Sequence, residues 1–123
     1  MSVAILRQGD HVIASILTDL SDREVIELRD DIAERVGRDR LRGVIVDVSA
    51  LEFMDSFVAR SLRSLALTVG LRGARTIIAG IQPEVAVAIV HFRLDLAPLQ
   101  TALDLDEAIA LLATPDMGGG DGR

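Results

Sequence analysis

Short apolar runs recur along the chain, and turn or helix-start signals separate them. Two such runs near the N-terminus flank Gly9-Asp10, which predicts a β-hairpin. The later runs are almost continuously apolar, which is typical of strands buried on both faces of a parallel sheet. A strand containing Pro98 is expected only at a sheet edge, because proline cannot donate to a ladder. The predicted strands are Val3–Arg7, Val12–Ile16, Val44–Val48, Thr76–Ala79 and Leu96–Leu99.

Helices are predicted between these strands wherever apolar residues recur three or four positions apart. The first ends near Gly37, a helix-stop residue. The second begins at Asp55 or Ser56, and the last ends near Ala113. Groups of capping residues precede all three helices. These groups are Ser21–Glu24, Asp55-Ser56 and Asp104–Glu107.

The segment Glu84–Phe92 predicts a further helix, and this one is apolar all round. Two interpretations fit that composition. Either the helix is tightly packed in the core, or its surface contacts another subunit, since exposed apolar patches mark interaction sites. The sequence favours the core helix and leaves the contact surface open as the alternative.

Strands that alternate with helices after the hairpin predict a single α/β domain over residues 1–113. It has a mixed, mostly parallel β-sheet and about four α-helices. Residues 114–123 hold four Gly and one Pro, and a disordered tail is expected there. Chemistry on parallel sheets gathers at the carboxyl ends of the strands. We expect Asp47, Ser49 and the pair Asp55-Ser56 at that edge.

Composition narrows the functions that this fold can carry. Every cation is Arg, and the absence of Lys excludes Schiff-base catalysis and a Walker-type phosphate loop. The absence of Cys excludes disulfides and thiolate chemistry. A net charge of -6 argues against a nucleic-acid partner. No apolar run is long enough for a membrane span and no secretory signal is visible, so a cytoplasmic protein is expected.

The polar residues of the chain give little support for an enzymatic function. Ser56 as a nucleophile needs a base and an oxyanion hole, and neither His11 nor His91 is placed to complete a triad. Asp47 ends a strand, as the acceptor of a receiver domain does, but the acidic pair and the lysine of receivers are absent. A turn-capping carboxylate is favoured for Asp47. No metal site or cofactor is predicted.

Ser56 itself has two compatible roles. As a helix cap it stabilises the fold by about 1 kcal/mol, and residue physics alone favours this role. As a phosphate acceptor it lies at the positive end of a helix, where added negative charge is tolerated. The neighbouring carboxylates of Asp47, Glu52 and Asp55 oppose that charge, so phosphorylation would change the surface potential sharply.

Three stretches carry a likeness to a known family. They are Val44–Val48 running into Asp55-Ser56, then Gly73-Ala74-Arg75, then Gly80-Ile81-Gln82-Pro83. With them, the segment Val3–Ala113 resembles a STAS domain, the fold of anti-sigma-factor antagonists. Within that family the chain is similar to the small stressosome scaffolds of the RsbS type. The closer likeness lies in Phe53–Ala59, Ala79–Pro83 and Thr101–Leu105.

The resemblance implies a non-enzymatic scaffold of bacterial stress signalling that is phosphorylated on Ser56. The unmodified chain would hold a serine/threonine switch kinase of the RsbT type at Asp55, Ser56, Phe57 and Arg60, and phosphorylation would release it. Co-assembly with a sensor-bearing STAS paralogue of the RsbR type, and self-association, are also implied. Relatives often carry a Thr where this chain has Ala79, so no second phosphosite is expected there.

Two other functions stay open at this point. One is a simple antagonist that binds an anti-sigma kinase one to one. The other is a nucleotide-binding module at the Asp47–Ser56 edge, which the absence of Lys and of a Gly-rich loop disfavours.

Overall fold

The computed structural model of the chain describes residues 2–114. It contains one five-stranded β-sheet and four helices. The strands are β1 (Val3–Gln8), β2 (His11–Ile16), β3 (Gly43–Asp47), β4 (Arg75–Ala79) and β5 (Gln100–Ala102). The helices are α1 (Asp22–Asp39), α2 (Ser56–Gly70), α3 (Pro83–His91) and α4 (Leu105–Ala113).

The sheet is mixed and mostly parallel, which confirms the predicted fold class. Its strand order is β1-β2-β3-β4-β5. β1 pairs antiparallel with β2 across a turn at Gly9, whose φ is +62°, and the other pairs are parallel. β2, β3 and β4 start in register at His11, Gly43 and Arg75. We call the sheet edge where these three strands begin the amino pole, and the edge where they end the carboxyl pole.

The core fills both faces of the sheet because successive strand residues point to opposite sides. Val12, Val44 and Ile78 face one side, where α1 and α2 cover them. Ile13 and Ile45 face the other side, where α4 covers them. Buried positions therefore follow one another along β2, β3 and β4, which explains their continuous apolar runs.

Helix α1 begins where the sequence predicts and ends later. Ser21 and Glu24 form the predicted capping box, with hydrogen bonds of 3.2 and 2.9 Å. The helix continues past Gly37 and ends at Arg40, which adopts a left-handed φ of 54°. Gly37 serves a different purpose, since a Cβ there would lie 2.8 Å from Nη2 of Arg72. The missing side chain leaves room for that guanidinium group.

The predicted edge strand at Leu96–Leu99 is wrong. This segment forms a turn, in which the Leu99 N–H donates to the Leu96 carbonyl at 2.8 Å. Its leucines are half-buried against the core, and Pro98 has no N–H for a ladder. The edge strand follows directly as β5 and pairs with β4.

The exposure of the side chains of helix α3 distinguishes the two interpretations of the apolar segment Glu84–Phe92. Val85 is its buried residue, whereas Val87, Val90 and the following Phe92 are 68 %, 78 % and 68 % exposed. The interpretation as a tightly packed core helix is therefore wrong. α3 presents an apolar surface outward.

The C-terminal end of the described chain is anchored rather than loose. α4 ends at Ala113, as predicted, and Thr114 caps it by donating from Oγ1 to the Leu111 carbonyl at 2.8 Å. Thr114 therefore belongs to the fold and not to the predicted tail. The rest of that tail, residues 115–123, lies outside the described residues. Over residues 2–114, no helix has the length and apolar character that a membrane crossing needs.

Candidate functional site

The carboxyl pole is built from the loops that follow β3 and β4. Asp47 ends β3, and its Oδ1 accepts a hydrogen bond from the Ser49 N–H at 2.9 Å. This side chain has the turn-capping role that the sequence favours for it. The Val48 N–H donates to the Ala79 carbonyl at 2.9 Å, which ties the start of the loop to the end of β4.

Gly80 allows the two loops to approach each other closely. Its φ is +79°, a conformation that residues with a Cβ rarely adopt. A Cβ at this position would lie 2.9 Å from the Ser49 Cβ. Two residues on, Nε2 of Gln82 donates to the Ser49 carbonyl at 2.7 Å. The Gly80–Pro83 stretch thus fixes where α3 begins relative to the chain that leads into α2.

Asp55 and Ser56 have different roles at the start of helix α2. Asp55 is the N-cap, and its Oδ1 accepts from the Val58 N–H at 2.9 Å. Ser56 is the first helical residue, so the interpretation of Ser56 as the cap is wrong. The Ser56 side chain is exposed, and its hydroxyl makes no hydrogen bond with any group of residues 2–114. An available hydroxyl therefore lies at the positive end of α2.

Phe57 and Arg60 continue the surface around Ser56. Phe57 is half-buried beside it. Arg60 lies one helical turn further, on the same face as Ser56, and is exposed. Arg63, in contrast, is engaged, since its Nε donates to the Ala97 carbonyl at 2.8 Å and lies 3.7 Å from Asp95. The structure thus places the four predicted partner-binding residues within the first turn and a half of α2.

A groove of about 650 Å³ separates this start of α2 from α3. Phe53 and Phe92 both line it, and they are 71 % and 68 % exposed. The remaining apolar lining comes from Met54, Val85, Ala88 and Leu94. We call this surface the Ser56 groove. Sequence reasoning missed its phenylalanines as site residues, although the chain has only three Phe and two of them are largely exposed.

The polar rim of the Ser56 groove is acidic. Glu52, Asp55 and Glu84 line it together with Ser56. Neither histidine is among the lining residues, and His11 lies at the amino pole. No group of three potential ligand side chains within residues 2–114 is arranged to hold a metal ion. The groove can therefore receive an apolar surface and present a hydroxyl beside it.

Comparison with known proteins identifies the family to which this fold belongs. The STAS domain model matches residues 2–108. A solved serine-to-glutamate variant of RsbS from Moorella thermoacetica is similar with a TM-score of 0.78 and 30 % identity, over 92 % of this chain and 96 % of that chain. A chain from the solved molecular architecture of the stressosome is similar with a TM-score of 0.70 and 28 % identity, over 89 % of this chain and 96 % of that one.

One curated relative is much longer than this chain. The RsbT co-antagonist protein RsbRA of Bacillus subtilis is 29 % identical over 82 residues. The match takes in 67 % of this chain and 30 % of RsbRA, so this chain corresponds to less than a third of that relative's length.

Replacing Gly80 with Ala should destabilise the domain by about 3 kcal/mol. The left-handed backbone would cost roughly 1–2 kcal/mol, and the collision with Ser49 would add a comparable overpacking term. Urea denaturation followed by circular dichroism measures the loss. Gly9→Ala is the matched control, because Gly9 has a φ of +62° but no atom within 4 Å of its Cβ position. Equal losses in the two variants would contradict the close approach of the loops.

Proposed function

The chain belongs to the STAS domain family, and we propose that it is a non-enzymatic stressosome scaffold that sequesters a switch serine kinase and releases it when Ser56 is phosphorylated. The observation that carries this proposal is the exposed Ser56 hydroxyl at the start of α2, beside an apolar groove. Similarity to RsbS and to a stressosome chain supports the assignment within the family.

The position of Ser56 suits reversible phosphorylation. A phosphate adds about 1.5 to 2 negative charges at neutral pH. The positive end of α2 favours that charge by about 0.3–1 kcal/mol, whereas Glu52 and Asp55 oppose it. Because Asp55 holds the N-cap bond, modification of Ser56 leaves the cap of α2 in place. The phosphate would change the surface without unfolding the helix.

The Ser56 groove supports the kinase-binding part of the proposal. Apolar side chains of the kinase would cover Phe53 and Phe92, which are otherwise largely exposed. A phosphate at Ser56 would sit on the rim of that contact, next to Glu52 and Glu84. Closing the interface would then require removing a doubly charged group from water, so binding weakens.

Co-assembly with a sensor-bearing STAS paralogue of the RsbR type is a further part of the proposal. RsbRA, which is described as an RsbT co-antagonist, shares the STAS segment with this chain. The outward apolar surface of α3, with Val87 and Val90 exposed, offers area for contacts between STAS domains.

Incubation with an RsbT-type kinase and ATP should place one phosphate on Ser56, because its hydroxyl is exposed and unbonded. Intact-mass and peptide mass spectrometry measure the modification. Ser49→Ala is the matched control, since Ser49 is an exposed serine of the same pole and its variant should still be phosphorylated. The proposal fails if an active kinase leaves Ser56 unmodified, or if Ser56→Ala takes up phosphate as the wild type does.

Ser56→Asp should weaken kinase binding about tenfold or more, which corresponds to roughly 1.4 kcal/mol. The cause is added negative charge on an acidic rim that the kinase must desolvate. Ser56→Ala should keep wild-type affinity, because its hydroxyl makes no bond in the free domain. Calorimetry with the unmodified kinase measures both. Similar affinities for the Asp and Ala variants would contradict the switch.

Mixing the chain with an RsbR-type paralogue should produce particles of about a megadalton in size-exclusion chromatography with light scattering. An assembly of that size is expected for a scaffold and not for an antagonist that binds one kinase molecule. The chain alone, at the same concentration, is the control. Small complexes of one chain and one partner would instead favour the simple antagonist.

A further inference from the structure

The amino pole carries an arginine cluster far from the Ser56 groove. Two adjoining cavities, of about 340 and 370 Å³, open at this pole, and Arg42 lines both of them. Arg75 lines the first cavity, while Arg40 and Arg72 line the second. Positive charge is thus concentrated at one end of a chain whose net charge is -6.

Within residues 2–114, three of these four arginines have no ion-pair partner. Arg75 is structural, because its Nη1 donates to the Leu111 and Thr114 carbonyls at 3.1 and 2.9 Å. None of Arg40, Arg42 and Arg72 forms an ion pair with a carboxylate of residues 2–114. Six other arginines do form such pairs. Those six are Arg7, Arg23, Arg29, Arg35, Arg38 and Arg63.

Nearby carboxylates do not neutralise the cluster. Asp39 is held by Arg38 at 3.2 Å and by Arg7 at 3.7 Å. The hydrogen bond from Arg38 lowers the pKa of the Asp39 carboxyl, so Asp39 stays ionised in that pair. Asp10 lines the first cavity beside His11, at 3.7 Å from its Nδ1. Asp10 is therefore the carboxylate that lines the first cavity with Arg42, and no carboxylate of residues 2–114 lines the second cavity with Arg40, Arg42 and Arg72.

The backbone places these three residues at the same pole. Arg40 occupies the left-handed C-cap of α1, with φ 54° and ψ 46°, where Gly would fit without strain. Arg72 lies against Gly37, which has no side chain to displace it. Arg42 starts the chain into β3, and its backbone N–H donates to the Asp10 carbonyl at 2.6 Å. The cluster is thus assembled from two connections at one pole, which are α1–β3 for Arg40 and Arg42 and α2–β4 for Arg72.

We propose that this cluster is a binding site for a multivalent phosphate anion, either a free diphosphate or the diphosphate group of a nucleotide. Guanidinium forks match phosphate oxygens in charge and in bidentate geometry. Cavities of a few hundred cubic ångströms have the size of small-ligand sites. Three positive groups around concave walls suit a compact anion better than an extended acidic segment, which would need a longer basic track.

Calorimetry with sodium pyrophosphate at low ionic strength tests the site on the intact chain. Wild-type protein should bind, and Arg42→Gln should lower the affinity at least tenfold, because Arg42 lines both cavities. Arg93→Gln is the matched control. Arg93 is also exposed, left-handed at φ 53° and without an ion pair in residues 2–114, but it stands next to the Ser56 groove. Its variant should bind pyrophosphate as the wild type does.

A variant that keeps the net charge tests whether the arrangement of the arginines contributes to the affinity for pyrophosphate. Gly37→Ala keeps every arginine but places a methyl group where Arg72 lies, so affinity should fall several-fold. ADP in a parallel titration distinguishes the two sources of the anion: tighter binding than pyrophosphate assigns the nucleotide, and weaker binding assigns the free diphosphate. Circular dichroism of each variant confirms that it is folded.

Three results would overturn the proposal. If wild-type protein does not bind pyrophosphate at millimolar concentration, the arginine cluster is not a phosphate site. If Arg42→Gln and Arg93→Gln lose the same affinity for pyrophosphate, binding depends on the net charge of the protein and not on this site. A hexaglutamate peptide that binds more tightly than pyrophosphate, and depends on Arg42, makes the surface a docking site for an acidic protein segment instead.

Discussion

Burial of β2, β3 and β4 on both faces is the constraint on which the rest of the structure depends. Strands of this kind run parallel, so each connection must return from one pole to the other through a helix. α1, α2 and α3 therefore all begin at the carboxyl pole, where their positive dipole ends gather. Acidic side chains such as Asp47, Glu52, Asp55 and Glu84 complement that field. The same topology sends the arginine-rich connections to the amino pole.

Because the N-cap of α2 is Asp55, the proposed phosphorylation of Ser56 would not remove the cap on which the helix start depends. If Ser56 were the N-cap, phosphorylation would esterify the hydroxyl oxygen that accepts a backbone N–H. Asp55 makes that bond instead, and the Ser56 hydroxyl takes no part in it. A phosphate on Ser56 would therefore leave the cap bond in place and change mainly the surface charge.

Sequence reasoning reached the sheet, the helices and the place of Ser56, because apolar period and capping residues are local signals. It favoured the wrong interpretation of α3, a tightly packed core helix, since an all-apolar helix carries no period that tells its buried side from its exposed side. It put the edge strand at Leu96–Leu99 because half-buried leucines in a turn look like a strand. Gly37 was taken as a helix stop, whereas its role depends on Arg72, which is 35 positions away in the chain. The phenylalanines of the Ser56 groove come from distant segments and meet only in the fold.

Helix α3 is joined to the core through Val85 and through the contacts of its flanking loops. A helix with so little buried area has a low free energy of local opening, compared with α1 or α2. The surface offered for recognition then belongs to an element that opens locally more readily than α1 or α2. A partner that seats on α3 would slow its amide hydrogen exchange, so recognition and local order would be thermodynamically coupled.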